Sequence, residues 1–101
     1  MVNPTFEVGQ SFTIIGIVKR NRRALDLTGA TGLEVKLKKP SGDYEVFTPI
    51  VTDATGGRWG ASVTAAFNDE TGQMRGRFTG LDSAGETING SVFRISIKRA
   101  F

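Results

Sequence analysis

A chain of 101 residues without cysteine or histidine makes one domain; it excludes disulfides, thiolate metal sites and the side chain most used as a base near neutral pH. Thirteen Lys and Arg against ten Asp and Glu leave a net charge of +3, too mild to imply nucleic acid or a membrane by itself. No apolar run approaches the roughly 20 residues of a membrane helix, and Met1-Val2-Asn3-Pro4-Thr5 lacks the features of a secretion signal, which predicts synthesis and use in the producer's cytosol.

Residues 1–9 read as an extended arm. Pro4 disfavours helix at Asn3, and Gly9 breaks the segment again. The first strand is predicted from Gln10 to Lys19. Phe12, Ile14 and Val18 share one face with Gly16, and Ile15 and Ile17 lie on the other. Apolar residues on both faces predict cover on both sides, or contact with the arm on the second face. Lys19-Arg20-Asn21-Arg22-Arg23 places four basic residues in five positions and reads as a hairpin tip or loop. Ala24-Leu25-Asp26-Leu27 returns as a short strand, and a glycine turn through Gly29 and Gly32 feeds the central strand, Leu33 to Lys38. There Leu33, Val35 and Leu37 alternate with Glu34, Lys36 and Lys38, the period of a half-buried strand.

Pro40-Ser41-Gly42-Asp43 is a turn, because Pro presets φ and Gly accepts a positive one. It predicts a hairpin with Tyr44-Glu45-Val46-Phe47-Thr48. Pro49 makes that an edge strand or ends it, and Ile50-Val51-Thr52 continues after a bend. Asp53-Ala54-Thr55-Gly56-Gly57 turns into a strand from Arg58 to Thr64, with Trp59, Ala61 and Val63 on one face. Residues 65–71 do not alternate and read as a loop or one helical turn. From Gly72 the next strand points Met74, Gly76 and Phe78 inward and Arg75 and Arg77 outward. Asp82-Ser83-Ala84-Gly85 is a turn, Thr87-Ile88 a short strand broken by Asn89-Gly90, and Ser91 to Arg99 the last strand, with Phe93, Ile95 and Ile97 inward. The reading is all-β: an immunoglobulin-like antiparallel β-sandwich of seven or eight short strands over residues 10–101, preceded by the arm at 1–9.

The order of these pieces is similar to the N-terminal immunoglobulin-like module of tailed-phage upper baseplate proteins. Val8-Gly9 precedes the first strand. Leu25-Asp26-Leu27-Thr28-Gly29-Ala30-Thr31 precedes the central one, and Lys39-Pro40-Ser41-Gly42 follows it. Asp53-Ala54-Thr55-Gly56-Gly57-Arg58-Trp59 and Gly72-Gln73-Met74-Arg75-Gly76-Arg77-Phe78 come next, with Met74 where that family usually has tyrosine. The resemblance spans residues 8–98. It implies a virion structural protein and brings no catalytic residue with it. In that family the module usually heads a longer chain with a receptor-binding domain; these 101 residues hold no such half, so receptor recognition is not carried over.

Chemistry narrows the reading further. Lys19, Arg20, Arg22 and Arg23 form a solvated tip or meet an acidic protein surface; with no aromatic interleaved, the cluster does not favour nucleic acid. Arg75, Arg77, Arg94 and Lys98 recur at period two, as a soluble face or a dock for an acidic neighbour. Asp82 and Glu86 bring two carboxylates where calcium takes six to eight oxygens. Asp69 and Glu70 are adjacent and diverge, and no base stands beside a candidate nucleophile in a recognisable motif. No catalytic, cofactor or metal residue is assigned. Trp59 and Tyr44 are the aromatics a sugar-binding module would use, but Trp59 shares its face with Ala61 and Val63 and is predicted in the core. Phe6 and Val8 in the arm, and Ile97 with Phe101 at the other end, lack an obvious place in a sandwich core. The arm either adds a strand to a neighbour's sheet or folds back on its own. The expected function is a non-enzymatic phage virion protein of the tail or baseplate. It assembles in the host cytoplasm and binds other virion proteins and copies of itself through Phe6, Val8, the basic residues and Phe101. The alternatives are a capsid decoration protein and a free carbohydrate- or nucleic-acid-binding module.

Overall fold

Where the sequence alternates, the chain is strand. The computed structural model describes residues 4–99, and these contain eleven strands and no helix. The larger sheet has the order β1-β11-β9-β5-β6, with β10 beside β11 on the same edge of β9. Its members are β1 (Thr5–Glu7), β5 (Thr31–Lys38), β6 (Tyr44–Phe47), β9 (Gly72–Leu81), β10 (Thr87–Asn89) and β11 (Phe93–Lys98). The smaller sheet is β2-β8-β7, built from β2 (Phe12–Ile17), β8 (Arg58–Val63) and β7 (Ile50–Asp53). A separate hairpin pairs β3 (Lys19–Arg20) with β4 (Arg23–Ala24).

The core lies between the two sheets. Ile14, Trp59, Ala61 and Val63 of the smaller sheet face Val35, Leu37, Met74, Phe78, Ile95 and Ile97 of the larger one, all of them buried. Trp59 bridges the layers: its ring lies 5.2 Å from Phe78 and 5.9 Å from Phe93. Two glycines make room for these rings. A Cβ at Gly16 would stand 2.5 Å from the indole, and one at Gly76 would stand 2.3 Å from the Phe93 ring. Both distances are far inside van der Waals contact, so the sandwich closes only where these strands lack side chains.

Three expectations need correction. The strands number eleven rather than seven or eight, because β1, β3, β4 and β10 form ladders only two or three residues long. The sandwich is not wholly antiparallel: β1 runs parallel to β11, pairing Thr5 with Ser96 and Glu7 with Lys98. The arm enters alongside the last strand and in its direction. The strand expected at 24–27 stops at Ala24; beyond it, Leu25 donates to the Val18 carbonyl and Leu27 to that of Ala54, so this stretch is held by single bonds, not a ladder. Pro49 is buried at the corner between β6, in the larger sheet, and β7, in the smaller. The segment 65–71 makes one helix-like turn closed by the Asn68 N–H on the Thr64 carbonyl, 3.2 Å.

Candidate interaction surfaces

The arm lies on its own domain. Thr5–Glu7 is the edge strand of the larger sheet, and the Phe6 ring stacks on Phe12 at 4.2 Å and 11°. Phe6 and Val8 are half-buried against the core. A fully buried Asn68 holds the end of the arm: its Nδ2 donates to the carbonyls of Glu7 (2.8 Å) and Gln10 (2.9 Å), and its backbone carbonyl accepts from the Gly9 N–H, 2.7 Å. Two carbonyl acceptors at Nδ2 fix which way the amide points. Phe101 lies outside the described residues.

The basic cluster divides. Asn21 and Arg22 take φ of 54° and 67°, the pair of positive values that a two-residue type I′ turn requires, so the tip is a tight hairpin. Arg20 turns away from that tip. Its guanidinium donates to Asp82 (2.8 Å), to Glu86 (3.4 Å) and to the Thr87 carbonyl (3.2 Å), tying the hairpin to the β9–β10 turn. Lys19, Arg22 and Arg23 are exposed.

The same ties account for the carboxylates. Arg20 and the N–H groups of Glu86 and Ala84 hold the Asp82 carboxyl below its ordinary pKa. Lys39 Nζ bonds Asp69 at 2.8 Å, which raises the lysine and lowers the aspartate. Glu70 accepts from the Ser41 N–H and hydroxyl, clamping the Pro40 turn. Thr28 donates to Asp26 and lowers it in the same way. These oxygens brace turns, and among the described residues no three Asp or Glu converge as a metal site.

Arg75, Arg77 and Arg94 stand on the outer face of the larger sheet, and the register adds Lys36 and Lys38, which sequence reasoning had not joined to them. Lys38, Arg75 and Arg94 lie directly opposite one another across three strands, and Lys36 lies opposite Arg77. All five are exposed. The period-two pattern in each strand was the available signal; the alignment of the strands was not in the sequence.

The outer face of the smaller sheet carries an apolar patch, with Arg58 exposed at its end opposite Ile17. Gly60 of β8 pairs with Ile15 of β2 on one side and with Ile50 of β7 on the other, and these isoleucines are 80% and 72% exposed. Ile17 is exposed beside them. The cover expected over Ile15 and Ile17 is not supplied by the described residues: the arm packs on the larger sheet instead. Thr13, Thr48, Thr52 and Ser62 border the Ile50–Gly60 groove with uncharged groups. Gly60 has no positive φ, and a Cβ there would meet nothing closer than the Ile14 oxygen at 3.7 Å. The chain's own packing thus does not require this glycine, unlike Gly16. Trp59, 4% exposed, presents no face to a sugar, and the Tyr44 ring is covered by Lys36 Nζ at 3.9 Å.

No family model matches the chain, and no curated protein matches its sequence. Its fold is similar to the N-terminal domain of phage TP901-1 ORF48, with a TM-score of 0.70 and 13% identity over 97% of this chain and 86% of that one. At this identity the likeness is one of fold, and it agrees in fold with the resemblance drawn from the order of turns and strands.

Proposed function

We propose that this chain is a structural subunit of a tailed-phage particle, in the tail or baseplate, and that it works by burying exposed faces of its sandwich against neighbouring subunits. It assembles in the host cytoplasm, with neighbours that include other virion proteins and further copies of itself. The observation that carries this reading is the apolar patch of Ile15, Gly60 and Ile50 on the outer face of the smaller sheet. Soluble monomers seldom leave adjacent apolar side chains open on a sheet face, and such patches mark protein contacts. Here two isoleucines flank a glycine that the domain itself does not need, which lets a neighbouring side chain approach the backbone. The likeness to a phage protein domain supplies the setting. No chemistry is asked of the site; association rests on apolar burial, at roughly 25 cal/mol per Å² before the costs of immobilisation.

The test is incorporation. Ile15→Asp and Ile50→Asp change exposed positions, so the unfolding free energy of the isolated domain should stay within about 0.5 kcal/mol of wild type, as is typical of surface changes. Particles grown with either variant as the sole copy are expected to contain at most a tenth of the wild-type amount of the chain. Wild-type incorporation of both variants would remove this face from the function.

A further inference from the structure

The geometry points to the outer face of the larger sheet as the docking site for an acidic protein surface, carried by the row Lys38–Arg75–Arg94 and the pair Lys36–Arg77. That the partner is a protein subunit rests on the structural role proposed above; that the face is built for anions does not.

Like charges directly opposite each other on neighbouring strands destabilise a sheet. This sheet aligns cations in two successive rows. Elsewhere two cations are matched, Arg20 with Asp82 and Glu86 and Lys39 with Asp69, while Lys19, Arg22 and Arg23 at the hairpin tip stand exposed with no ion pair among the described residues; what sets this face apart is the direct opposition of its cations. None of the five cations on this face takes part in an ion pair among the described residues, and the one carboxylate within their strands' outer rows, Glu34, sits opposite Thr79 beyond the cluster. At one end Pro40 and Gly42 raise a rim, and Lys38, Lys39, Gln73 and Arg75 line an open depression of a size to receive a carboxylate side chain. A repulsive arrangement kept on an exposed face becomes favourable only when opposite charge covers it.

The form of the face favours protein over nucleic acid. Cations in the row are spaced by the interstrand distance, about 4.8 Å, which matches carboxylates presented by a facing strand pair, and arginine takes carboxylate in bidentate fashion. A duplex is a cylinder that touches a flat sheet along one line, and reading its bases needs an element that enters a groove. Single strands are held by stacking, and the one exposed aromatic here, Tyr44, has its ring under Lys36.

The probe is a labelled twenty-residue oligoglutamate, titrated at low salt by fluorescence anisotropy, with a DNA duplex of equal charge in parallel. Arg75→Gln, Arg77→Gln and Arg94→Gln together remove three charges from the face. Lys19→Gln, Arg22→Gln and Arg23→Gln remove three from the hairpin tip and serve as the control of equal net charge. The face variant is expected to bind the peptide at least tenfold more weakly than wild type, the tip variant less than threefold. Trp59 fluorescence and the thermal midpoint verify the fold, and single replacements at Arg75 and Arg94 stand in if the triple variant fails that check. Equal losses in the two variants would mean that only net charge matters and would overturn the proposal, as would an absence of peptide binding. Tighter binding of the duplex through the same face would reassign the partner to nucleic acid. None of these results bears on whether the chain is found in particles, which tests the structural role separately.

Discussion

Asn68 shows how much a single buried side chain can organise. It is fully buried, it bonds two arm carbonyls, and its Oδ1 has no partner. An unmet buried acceptor costs stability, so the amide is tolerated for the two bonds its other end makes. Asn68→Ala removes both bonds, leaving the Gln10 carbonyl without this donor and the Glu7 carbonyl with the longer bond from the Gln10 N–H, 3.3 Å. The expected loss is about 1–3 kcal/mol, read as a fall of about 4–8 °C in thermal midpoint per kcal/mol, and amide exchange should quicken first at Val8 and Gly9. An unchanged midpoint would show that the β1–β11 pairing and the Phe6 stacking hold the arm without these two bonds. Nothing in the pattern around Asn68 announced this role. It sits in the one stretch that does not alternate, and its partners lie about 60 residues away. Trp59 was legible for the opposite reason: its apolar neighbours at i+2 and i+4 share its face, and that face is buried.

At the scale of elements, alternation reports which faces of a strand differ, but not what lies over them. Val35 and Leu37 are fully buried while Glu34, Lys36 and Lys38 are exposed, as the pattern of the central strand requires. In β2 the same logic reached its limit. Ile15 and Ile17 carry the composition of a covered face, yet a third layer is needed to cover them and one chain of this length supplies only two. Turn chemistry read well at Pro40–Gly42. The hairpin Lys19–Ala24 was harder, because Arg22 replaces the usual glycine at a positive φ. The ties between elements are charged and half-buried, so pH acts on them. Asp82 and Asp69 ionise below the ordinary 3.8, so the folded chain holds fewer acid-range protons than the unfolded one. Their contribution is complete above that value and is lost as pH falls through the lower folded pKa. Lys39 is raised above 10.5; its contribution is complete below that value and is lost as pH rises through the higher folded pKa. The thermal midpoint should therefore be flat between about pH 5 and pH 9 and fall on both sides. Asp82→Asn should flatten the acid limb and leave the alkaline one unchanged; an acid limb identical to wild type would deny Asp82 that role.

As a whole, the molecule presents two outer faces of different chemistry. The larger sheet carries Lys36, Lys38, Arg75, Arg77 and Arg94, none of them in an ion pair among the described residues, and the smaller carries isoleucines across a glycine. A sandwich puts these faces on opposite sides, so one subunit can contact two unlike neighbours at once, which suits a particle built in layers. The arm is secured to its own sheet over Thr5–Glu7 and leaves a three-residue edge, too short to template much pairing. The arm's edge is thus a poor template for strand exchange, and the two outer faces are the surfaces we propose for contact with partners. The sandwich could be read from turn spacing, because each turn has its own residue chemistry. The two faces could not, because they depend on register and on which sheet each strand joins.

Placement in a particle is the claim on which the rest depends. The most direct measurement is quantitative mass spectrometry of gradient-purified phage particles from a lysate in which this chain is expressed, scaled against the major capsid protein. The chain should co-purify at a constant copy number that survives high-salt washing and repeated banding. A chain abundant in the lysate but missing from the banded particles would mean that it is no virion subunit, and its two faces would then need partners elsewhere in the infected cell.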